Sequence, residues 1–347
     1  MITHPHVKIN LGLSVLRRRA DGYHDLETLF VPYHGLSDTL EIIVGDDWSE
    51  TSAALFARYA SPEVAQAIAP DGSLMVTIAR RGGVSWDPLQ DLTARAYALL
   101  AADHKLPPMK IYLEKTAPVG AGLGGGSSDA AFALRMISSL ADLGLSDAAL
   151  AGYAARLGSD CAFFVYDQPM LGEGRGEILT PFSLDLSGYD LRVVVPDGIA
   201  VSTAEAYRGI VPREGVPGPA ACSPEDAGKN PAGECILRGA APRACEPSSV
   251  AETAEAGRQG AAERIPRQGL FSALCSTLPP CQPLLPLREA LARPVEAWRG
   301  CLVNDFEATV FAAHPELAAL KQRLYDEGAV YAAMSGSGSA LFGLFRR

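Results

Sequence analysis

Alternating apolar and polar residues dominate the first third of the chain. A period of two is typical of a β-strand with one buried face. The pattern predicts strands at 7–16, 27–33, 39–45, 74–80 and 109–115. A helical pattern interrupts this series near 92–102. The N-terminal half is therefore expected to be rich in strands.

Two helices in succession are predicted after residue 127, at 128–142 and 146–157. The short apolar segment CAFFVY at 161–166 then predicts a strand. Further along, strands are predicted at 190–198, 329–334 and 340–345, and helices at 203–209, 304–312 and 315–327. A chain of 347 residues exceeds one average domain, so we expect two.

A glycine-rich segment, PVGAGLGGGSSDAA at 118–131, joins the strand at 109–115 to the next predicted helix. Glycines let main-chain N–H groups approach a ligand closely, and the positive end of a helix starting at Ser127 or Ser128 attracts an anion. A plain surface loop or linker is the alternative. The strand-loop-helix context favours a phosphate-binding loop.

Three known loops can be compared with this segment. Gly120, Gly122 and Gly125 formally satisfy the dinucleotide pattern G-x-G-x-x-G, but that fold needs a second strand and an acidic residue after the first helix. A Walker A loop would end in Gly-Lys-Ser/Thr, and a hydrolase nucleophile would need G-x-S-x-G. Neither pattern is present, so the chemistry must come from residues elsewhere.

Composition narrows the classes of partner. The formal net charge of −10 argues against a nucleic-acid-binding surface. Residues 1–16 do not resemble a signal peptide, and no apolar run reaches the roughly 18 residues of a membrane span. We expect a cytoplasmic protein with no membrane partner. The seven cysteines include no C-x-x-C pair and predict reduced thiols rather than a zinc site.

The composition changes between 212 and 269, where roughly half of the residues are Ala, Gly or Pro and few large apolar residues remain. This segment is predicted to be a disordered insertion. Cys222, Cys235 and Cys245 lie in it at spacings that match no metal site, and we interpret them as incidental.

The glycine-rich segment resembles the nucleotide loop of the GHMP kinases. Five further motifs strengthen the resemblance, in the order expected for members that act on a cytidine diphosphate-linked methylerythritol: KINLGL at 8–13, RADGYHDLETLF at 19–30, LGSDCAFF at 157–164, GRGEILTP at 174–181 and MSGSGSA at 334–340. Alone, the last motif could be an ordinary hairpin turn. The resemblance implies ATP-dependent phosphorylation of the 2-hydroxyl of that small molecule in the non-mevalonate isoprenoid pathway.

The fold implied by the resemblance is a two-domain α+β structure with its active site in the cleft. A ribosomal-protein-S5-like nucleotide-binding domain is expected at 1–168 and a ferredoxin-like domain at 169–347, the latter interrupted by the insertion. Two alternatives to this function remain. The chain could be another GHMP kinase, of homoserine or mevalonate type, or a non-catalytic sensor of a nucleotide or metabolite on the same scaffold. We expect a monomer or weak homodimer.

Two residues carry the catalytic roles of the family. By resemblance, Asp160 is the base that accepts the hydroxyl proton and Lys8 is its electrostatic partner. The residues alone leave other interpretations open. Asp160 could be a turn residue between two elements, and Lys8 could extend from a half-buried strand to solvent.

The acceptor substrate is assigned five residues, one of which is the catalytic Asp160. Asn10 shares a strand face with Lys8 and belongs, by resemblance, near the acceptor. Tyr23 and His24 are expected to stack on and read the cytosine, and Tyr207 to enclose it from the other side. A surface loop for Tyr23 and His24, and a helix core position for Tyr207, remain alternatives.

The donor nucleotide is assigned the loop and the strand before it: Lys115, Pro118, Gly120, Gly122, Leu123, Gly124, Gly125, Gly126, Ser127 and Ser128. The two serines could instead cap the helix. Asp91 replaces an asparagine that contacts the adenine in many members of the family, and a carboxylate cannot donate the amide hydrogen bond. Mg²⁺ is expected to arrive with ATP, since no dedicated acidic cluster is evident and no metal-ligating residue is assigned.

Overall fold

Three β-sheets and nine α-helices are formed by the residues that the computed structural model describes, which are 1–45, 47, 49–213 and 285–347. These residues belong to one compact unit. From residue 214 onward the predicted insertion lies outside the described residues, together with Cys222, Cys235 and Cys245.

The strands are β1 (Ile2–Thr3), β2 (His6–Arg18), β3 (His24–Ser37), β4 (Thr39–Val44), β5 (Val64–Ile68), β6 (Leu74–Arg80), β7 (Met109–Lys115), β8 (Met170–Gly174), β9 (Ile178–Pro181), β10 (Tyr189–Val194), β11 (Tyr331–Met334) and β12 (Leu341–Arg346). The helices are α1 (Ser52–Arg58), α2 (Leu92–Asp103), α3 (Gly125–Leu140), α4 (Asp147–Leu157), α5 (Cys161–Tyr166), α6 (Thr203–Tyr207), α7 (Leu287–Leu291), α8 (Phe306–Ala313) and α9 (Pro315–Asp326).

The first sheet has the order β1-β4-β7-β6-β5, and its pairs are antiparallel except for the parallel pair β6–β7. Helix α2 makes the crossover between these parallel strands. Helices α2, α3, α4 and α5 contribute to the apolar core of this sheet. The predicted strands at 74–80 and 109–115 are confirmed to the residue.

The second sheet, β2-β3-β8-β9, is antiparallel throughout and is built on the long hairpin of β2 and β3. The third sheet has the order β10-β12-β11. Apolar residues of β2 pack in a shared core with β11, β12 and helix α7. Strand β2 is consequently buried from His6 to Val15, and this burial includes four polar side chains, those of His6, Lys8, Asn10 and Ser14.

The strand predicted at 161–166 is wrong, because CAFFVY forms helix α5. Its residues from Cys161 to Val165 are all buried, so the sequence shows a continuous apolar run with no period to distinguish the two structures. The segment packs against helices α3 and α4. Without a neighbouring strand, its backbone groups are satisfied within a helical turn, as in the bond from Asp167 N to the carbonyl of Phe163.

Two smaller observations concern cysteines and membranes. Cys161 and Cys301, the cysteines in the described part of the chain, are buried free thiols. Burial raises the pKa of the Cys161 thiol to about 11, so it is not a reactive thiolate at neutral pH. Across the described ranges, no helix is both long and apolar enough to cross a membrane.

Candidate active site

The glycine loop turns through three residues with left-handed backbone angles, Gly120, Gly122 and Gly124, at φ of 74°, 75° and 72°. Only glycine adopts such angles without strain. Helix α3 begins directly afterwards at Gly125, two residues earlier than the earliest predicted start, and Gly124 is its N-cap. Neither Ser127 nor Ser128 therefore caps the helix.

Gly122 is required for a second reason, which is close contact with the turn at 334–340. A Cβ at this position would lie 2.2 Å from the carbonyl oxygen of Ser335. The Ser335 hydroxyl donates to the carbonyl of Gly122 over 3.1 Å, and the amide of Ala340 donates to the carbonyl of Ala121 over 3.1 Å. The MSGSGSA turn thus supports the glycine loop from the C-terminal part of the chain.

Asn304 fixes the shape of this supporting turn. Its side-chain amide donates to the carbonyls of Met334 and Gly336, both over 2.8 Å, and the side chain is buried. The sequence interpretation did not identify Asn304. A buried asparagine with two backbone acceptors leaves no periodic signal, and Asn304 was included only as the first residue of the helix predicted at 304–312, which begins at Phe306.

Lys8 lies beneath the loop on strand β2 and is only 3% exposed. Its ammonium donates to the side-chain oxygen of Asn10 over 2.5 Å and to the carbonyl of Gly122 over 3.0 Å. The carboxylate oxygen Oδ2 of Asp160 is 3.4 Å away. Burial lowers the pKa of Lys8, and the neighbouring Asp160 charge opposes this shift. Lys8 does not extend to solvent.

Asp160 precedes helix α5, and its side chain is 31% exposed. The carboxylate therefore reaches Lys8 on one side while remaining open to a cavity. Asn10 completes the group, because its amide nitrogen donates to Thr28 Oγ1 over 3.0 Å and its oxygen is thereby turned toward Lys8. The three residues that the sequence placed near the chemistry are brought together.

A cavity of about 350 Å³ opens over this group and is called the Lys8 cavity. Besides Lys8, Asn10 and Asp160, its walls include Thr28, Phe30, Arg175, Thr203, Tyr207 and Ser337. A second cavity of about 460 Å³, the Trp86 cavity, is lined by Trp86, Gln90, Asp91, Lys115, Asp129 and every residue from Pro118 to Ser127. Gly120, Gly122, Gly124 and Ser127 line both cavities.

The glycine loop therefore forms the boundary between two spaces. All the predicted donor-site residues except Ser128 line the Trp86 cavity. Ser128 is fully buried and lines neither cavity, and among the described residues its hydroxyl has no hydrogen-bond partner. Ser127, in contrast, lies where the two cavities meet.

Asp91 has a structural function that explains a carboxylate at this position. It is the N-cap of helix α2, and its Oδ1 accepts from the amide and the hydroxyl of Thr93 over 2.9 and 2.7 Å. Its Oδ2 accepts from the indole nitrogen of Trp86 over 3.1 Å. The sequence interpretation missed Trp86, although a tryptophan just before the Asp-Pro start of a helix was a usable signal.

Lys115 lies on the inner wall of the Trp86 cavity between two buried carboxylates. Its ammonium bonds to Asp38 and, over 2.5 Å, to Asp129. Although burial acts to lower the pKa of Lys115, the two carboxylates outweigh it and raise the pKa. Asp38 also accepts from the amides of Thr116 and Ala117 over 2.6 and 2.8 Å, which anchors the start of the loop. Neither aspartate was identified from the sequence.

Of the aromatic residues predicted for the acceptor, Tyr207 lines the Lys8 cavity, whereas Tyr23 and His24 are not among its wall residues. His24 stacks on Tyr207 with ring centroids 4.8 Å apart and an interplanar angle of 17°. Tyr207 in turn packs edge-on against Phe306. Tyr23 is 59% exposed, and the guanidinium of Arg175 lies 5.2 Å from its ring centroid. The ring that stacks on Tyr207 is therefore His24.

Arg175, Thr203 and Ser337 are further wall residues that sequence reasoning did not assign. The hydroxyls of Thr203 and Ser337 are 3.4 Å apart. Arg175 and Ser337 belong to the GRGEILTP and MSGSGSA motifs, so a signal for them existed. A motif identifies a position but does not show which of its side chains reaches a cavity.

Comparisons with known proteins agree with this geometry. The family model for the GHMP kinases N terminal domain matches residues 91–168, and the model for GHMP kinases C terminal matches 287–347. The 4-diphosphocytidyl-2-C-methyl-D-erythritol kinase of Bacteroides fragilis is 35% identical over 99% of this chain and 92% of its own length. That of Bacteroides thetaiotaomicron is 36% identical, again over 99% of this chain and 92% of its length.

Among solved structures, a crystal structure of 4-(cytidine 5'-diphospho)-2C-methyl-D-erythritol kinase is 28% identical, with a TM-score of 0.57 over 99% of this chain and 90% of that chain. These matches confirm the expected α+β GHMP kinase fold class. Because the two Bacteroides relatives are 35–36% identical over nearly the whole chain, and both GHMP kinase domain models match it, the protein belongs to the 4-diphosphocytidyl-2-C-methyl-D-erythritol kinase family of the GHMP kinases.

Proposed function

We propose that this protein transfers the γ-phosphate of ATP to the 2-hydroxyl of 4-diphosphocytidyl-2-C-methyl-D-erythritol, giving the 2-phosphate and ADP in the non-mevalonate route to isoprenoids. The observation that carries the proposal is the ion pair of Lys8 and Asp160, with Nζ and Oδ2 3.4 Å apart, in a cavity that shares its glycine wall with a second cavity. The names of the full-length relatives support the same substrate.

In this proposal Asp160 accepts the proton of the 2-hydroxyl as the oxygen attacks the γ-phosphorus in line. The bond from this phosphorus to the bridging oxygen breaks, and ADP leaves. Lys8 keeps the Asp160 carboxylate ionised and stabilises the negative charge that develops on the reacting oxygen. The hydrogen bonds from Lys8 to Asn10 and Gly122 hold the ammonium at the boundary between the two cavities.

ATP is assigned to the Trp86 cavity, with its phosphates against the loop from Pro118 to Ser127 and the N-terminus of α3. Lys115 contributes indirectly, because its bonds to Asp38 and Asp129 stabilise the two ends of the loop. Asp91 lines the same cavity and holds the Trp86 indole by a hydrogen bond, and we propose that it affects adenine recognition through this contact.

Mg²⁺ is proposed to arrive with ATP. It would supply charge neutralisation for the phosphates. Ser127 lines both cavities, and its hydroxyl would offer this ion a hard oxygen ligand, while the remaining ligands would come from phosphate and water.

The acceptor is assigned to the Lys8 cavity. Tyr207 on the cavity wall, with His24 stacked on it and Tyr23 next to His24 in sequence, is proposed to bind the cytidine, and Asn10 lies at the reacting end. Because His24 stacks on Tyr207, we propose that cytosine binding separates or extends this stack. We retain as further proposals the domain boundary at 168, a cytoplasmic location and a monomeric or weakly dimeric state without nucleic-acid or membrane partners.

The test is a coupled assay of ADP release with purified protein, ATP and Mg²⁺. Turnover should depend on 4-diphosphocytidyl-2-C-methyl-D-erythritol and should be absent with homoserine or mevalonate. Faster phosphorylation of homoserine or mevalonate than of the cytidylated compound would indicate another GHMP kinase activity. Binding of the cytidylated compound without ADP release would favour a sensor and refute the proposed reaction.

A further inference from the structure

A group of metal-binding side chains lies near the start of strand β2, apart from both cavities. It consists of His6 on β2, His34 on β3 and Asp167 at the C-cap of α5, and one ligand atom from each lies within 4.8 Å of the others. These residues line neither the Lys8 cavity nor the Trp86 cavity. In the described ranges, this is the only such group of three or more His, Cys, Asp or Glu residues.

His6 is held as metal-binding histidines commonly are. The ring is buried between Phe132 and Phe164, at centroid distances of 5.7 and 5.8 Å. Its Nδ1 lies 3.0 Å from the carbonyl oxygen of Val7. When Nδ1–H donates to that carbonyl, Nε2 is directed toward Asp167, and such an outer hydrogen bond fixes the tautomer of a histidine ligand.

The other two side chains face His6 from separate elements. Asp167 has a left-handed backbone angle, φ 50°, which ends helix α5, and its Oδ1 lies 2.7 Å from His6 Nε2. The ring of His34 meets that of His6 edge-on, with centroids 4.2 Å apart. Both of these side chains are exposed, so each can adjust its position.

We propose that His6, His34 and Asp167 bind one divalent transition-metal ion of the zinc type, with a fourth position open to water. Two imidazoles and one carboxylate are a donor set that suits Zn²⁺, Co²⁺ or Ni²⁺ rather than Mg²⁺ or Ca²⁺. Ligand atoms about 2.0–2.2 Å from a tetrahedral ion lie about 3.4 Å from one another. The His6–Asp167 separation must therefore widen by about 0.7 Å, which the exposed Asp167 allows.

The charges and contacts around the three residues indicate whether the ion would have a structural or a catalytic role. Arg135 bonds to the carbonyl of Val165 and pairs with Asp147 over 3.2 Å, so its positive charge is partly compensated. Phe164 packs against His6 and also against the backbone of Gly124, where a Cβ would lie 3.2 Å from its ring. We therefore assign the ion a structural effect, namely stabilisation of the region beneath the glycine loop, and no step of the reaction.

The experiment titrates chelator-treated full-length protein with Zn²⁺ by calorimetry and with Co²⁺ by absorption. One equivalent should bind with a dissociation constant of about 1 µM or below, and His34→Ala and Asp167→Asn should each weaken this binding at least about tenfold. Zn²⁺ should raise the Tm of the wild-type protein but not that of His34→Ala.

His314→Ala is the matched control, because His314 also faces a carboxylate, that of Glu316 at 3.5 Å, but belongs to no group of three ligands among the residues that the structure describes. It should bind the ion as the wild type does. Unchanged binding in both His34→Ala and Asp167→Asn, or no binding to the wild type, would overturn the proposal. A Co²⁺ spectrum with thiolate charge-transfer absorption that persists in His34→Ala would assign the ion to cysteines instead and would also overturn it.

Discussion

Replacement of Gly122 by alanine tests whether contact between the loop and the 334–340 turn holds the site together. The change has two costs. The first is the left-handed backbone angle of 75°, which costs an L-residue about 1–2 kcal/mol. The second is steric, because the new Cβ would lie 2.2 Å from the carbonyl oxygen of Ser335, whereas an ordinary contact needs at least about 3.4 Å.

Relief of that overlap must move the two turns apart by about 1 Å. This movement weakens the bonds from Ser335 to Gly122 and from Ala340 to Ala121, each of which contributes about 0.5–1.5 kcal/mol. Together with the backbone term, Gly122→Ala should destabilise the protein by about 2–5 kcal/mol.

Gly120→Ala provides the matched control. Gly120 has nearly the same backbone angle, 74°, but a Cβ there would have no atom within 4 Å. This variant should lose only the backbone term of about 1–2 kcal/mol. The difference between the two variants isolates the contact between the turns, at about 1–3 kcal/mol.

The measurement is the free energy of unfolding by urea, followed by steady-state kinetics under conditions where both variants are folded. Gly122→Ala should also raise the KM for ATP and lower kcat more than Gly120→Ala does, because Gly122 contacts Lys8 and lines both cavities. Equal free energies of unfolding for the two variants would refute the proposed support of the loop by the turn.

Four further outcomes are expected. Asp160→Asn should lower kcat by about 10²–10⁴-fold while the fold is retained, as measured by ADP release, and near-normal turnover would exclude its role as the base. Tyr207→Ala should raise the KM for the cytidylated acceptor by about tenfold, from a stacking loss of about 1–3 kcal/mol, and leave the KM for ATP unchanged; a rise in both would indicate general damage. Asp91→Asn should cost about 1 kcal/mol in urea unfolding, because its amide must turn an N–H toward either Thr93 or the Trp86 indole, and an unchanged stability would argue against these bonds. Burial acts to raise the pKa of Glu41, but hydrogen bonds from the 49–51 segment outweigh this effect and lower the pKa. The ionised Glu41 therefore stabilises the fold fully above its ordinary pKa near 4.5, and this contribution is lost as the pH falls through the lower pKa of the folded state. The stability difference between wild type and Glu41→Gln should therefore shrink between pH 6 and acid pH of about 3, and a difference that does not shrink would contradict this assignment.

Much of the fold followed from local pattern. The strands at 74–80 and 109–115 and the helices near 92 and 315 were predicted within a residue or two, because alternation and helical period reflect which face of an element is buried. The strand predicted at 161–166 was wrong because this segment, which forms helix α5, shows no such pattern. It is buried on every side, so its sequence contains no period.

The candidate site was predicted unevenly. Loop residues were found because glycines with positive φ leave a compositional signal. Asn304, Asp38 and Asp129 were not found, since each acts through a hydrogen bond to a partner at least 14 residues away and leaves no regular spacing. Trp86 was missed although its partner, Asp91, is only five residues away. The catalytic, substrate-binding and nucleotide-binding roles of the assigned residues stay predictions until the variants are measured.

The sequence by itself determined the kind of protein, through a glycine loop between a strand and a helix and a set of motifs in the order found in one family. Tertiary structure decided how those motifs become a site. Lys8 acquires its environment from Gly122 and Asp160, and Gly122 is supported by Ser335, which is 213 residues away. Such contacts depend on which elements pack together, and a linear pattern records the burial of a residue but not the identity of its neighbours.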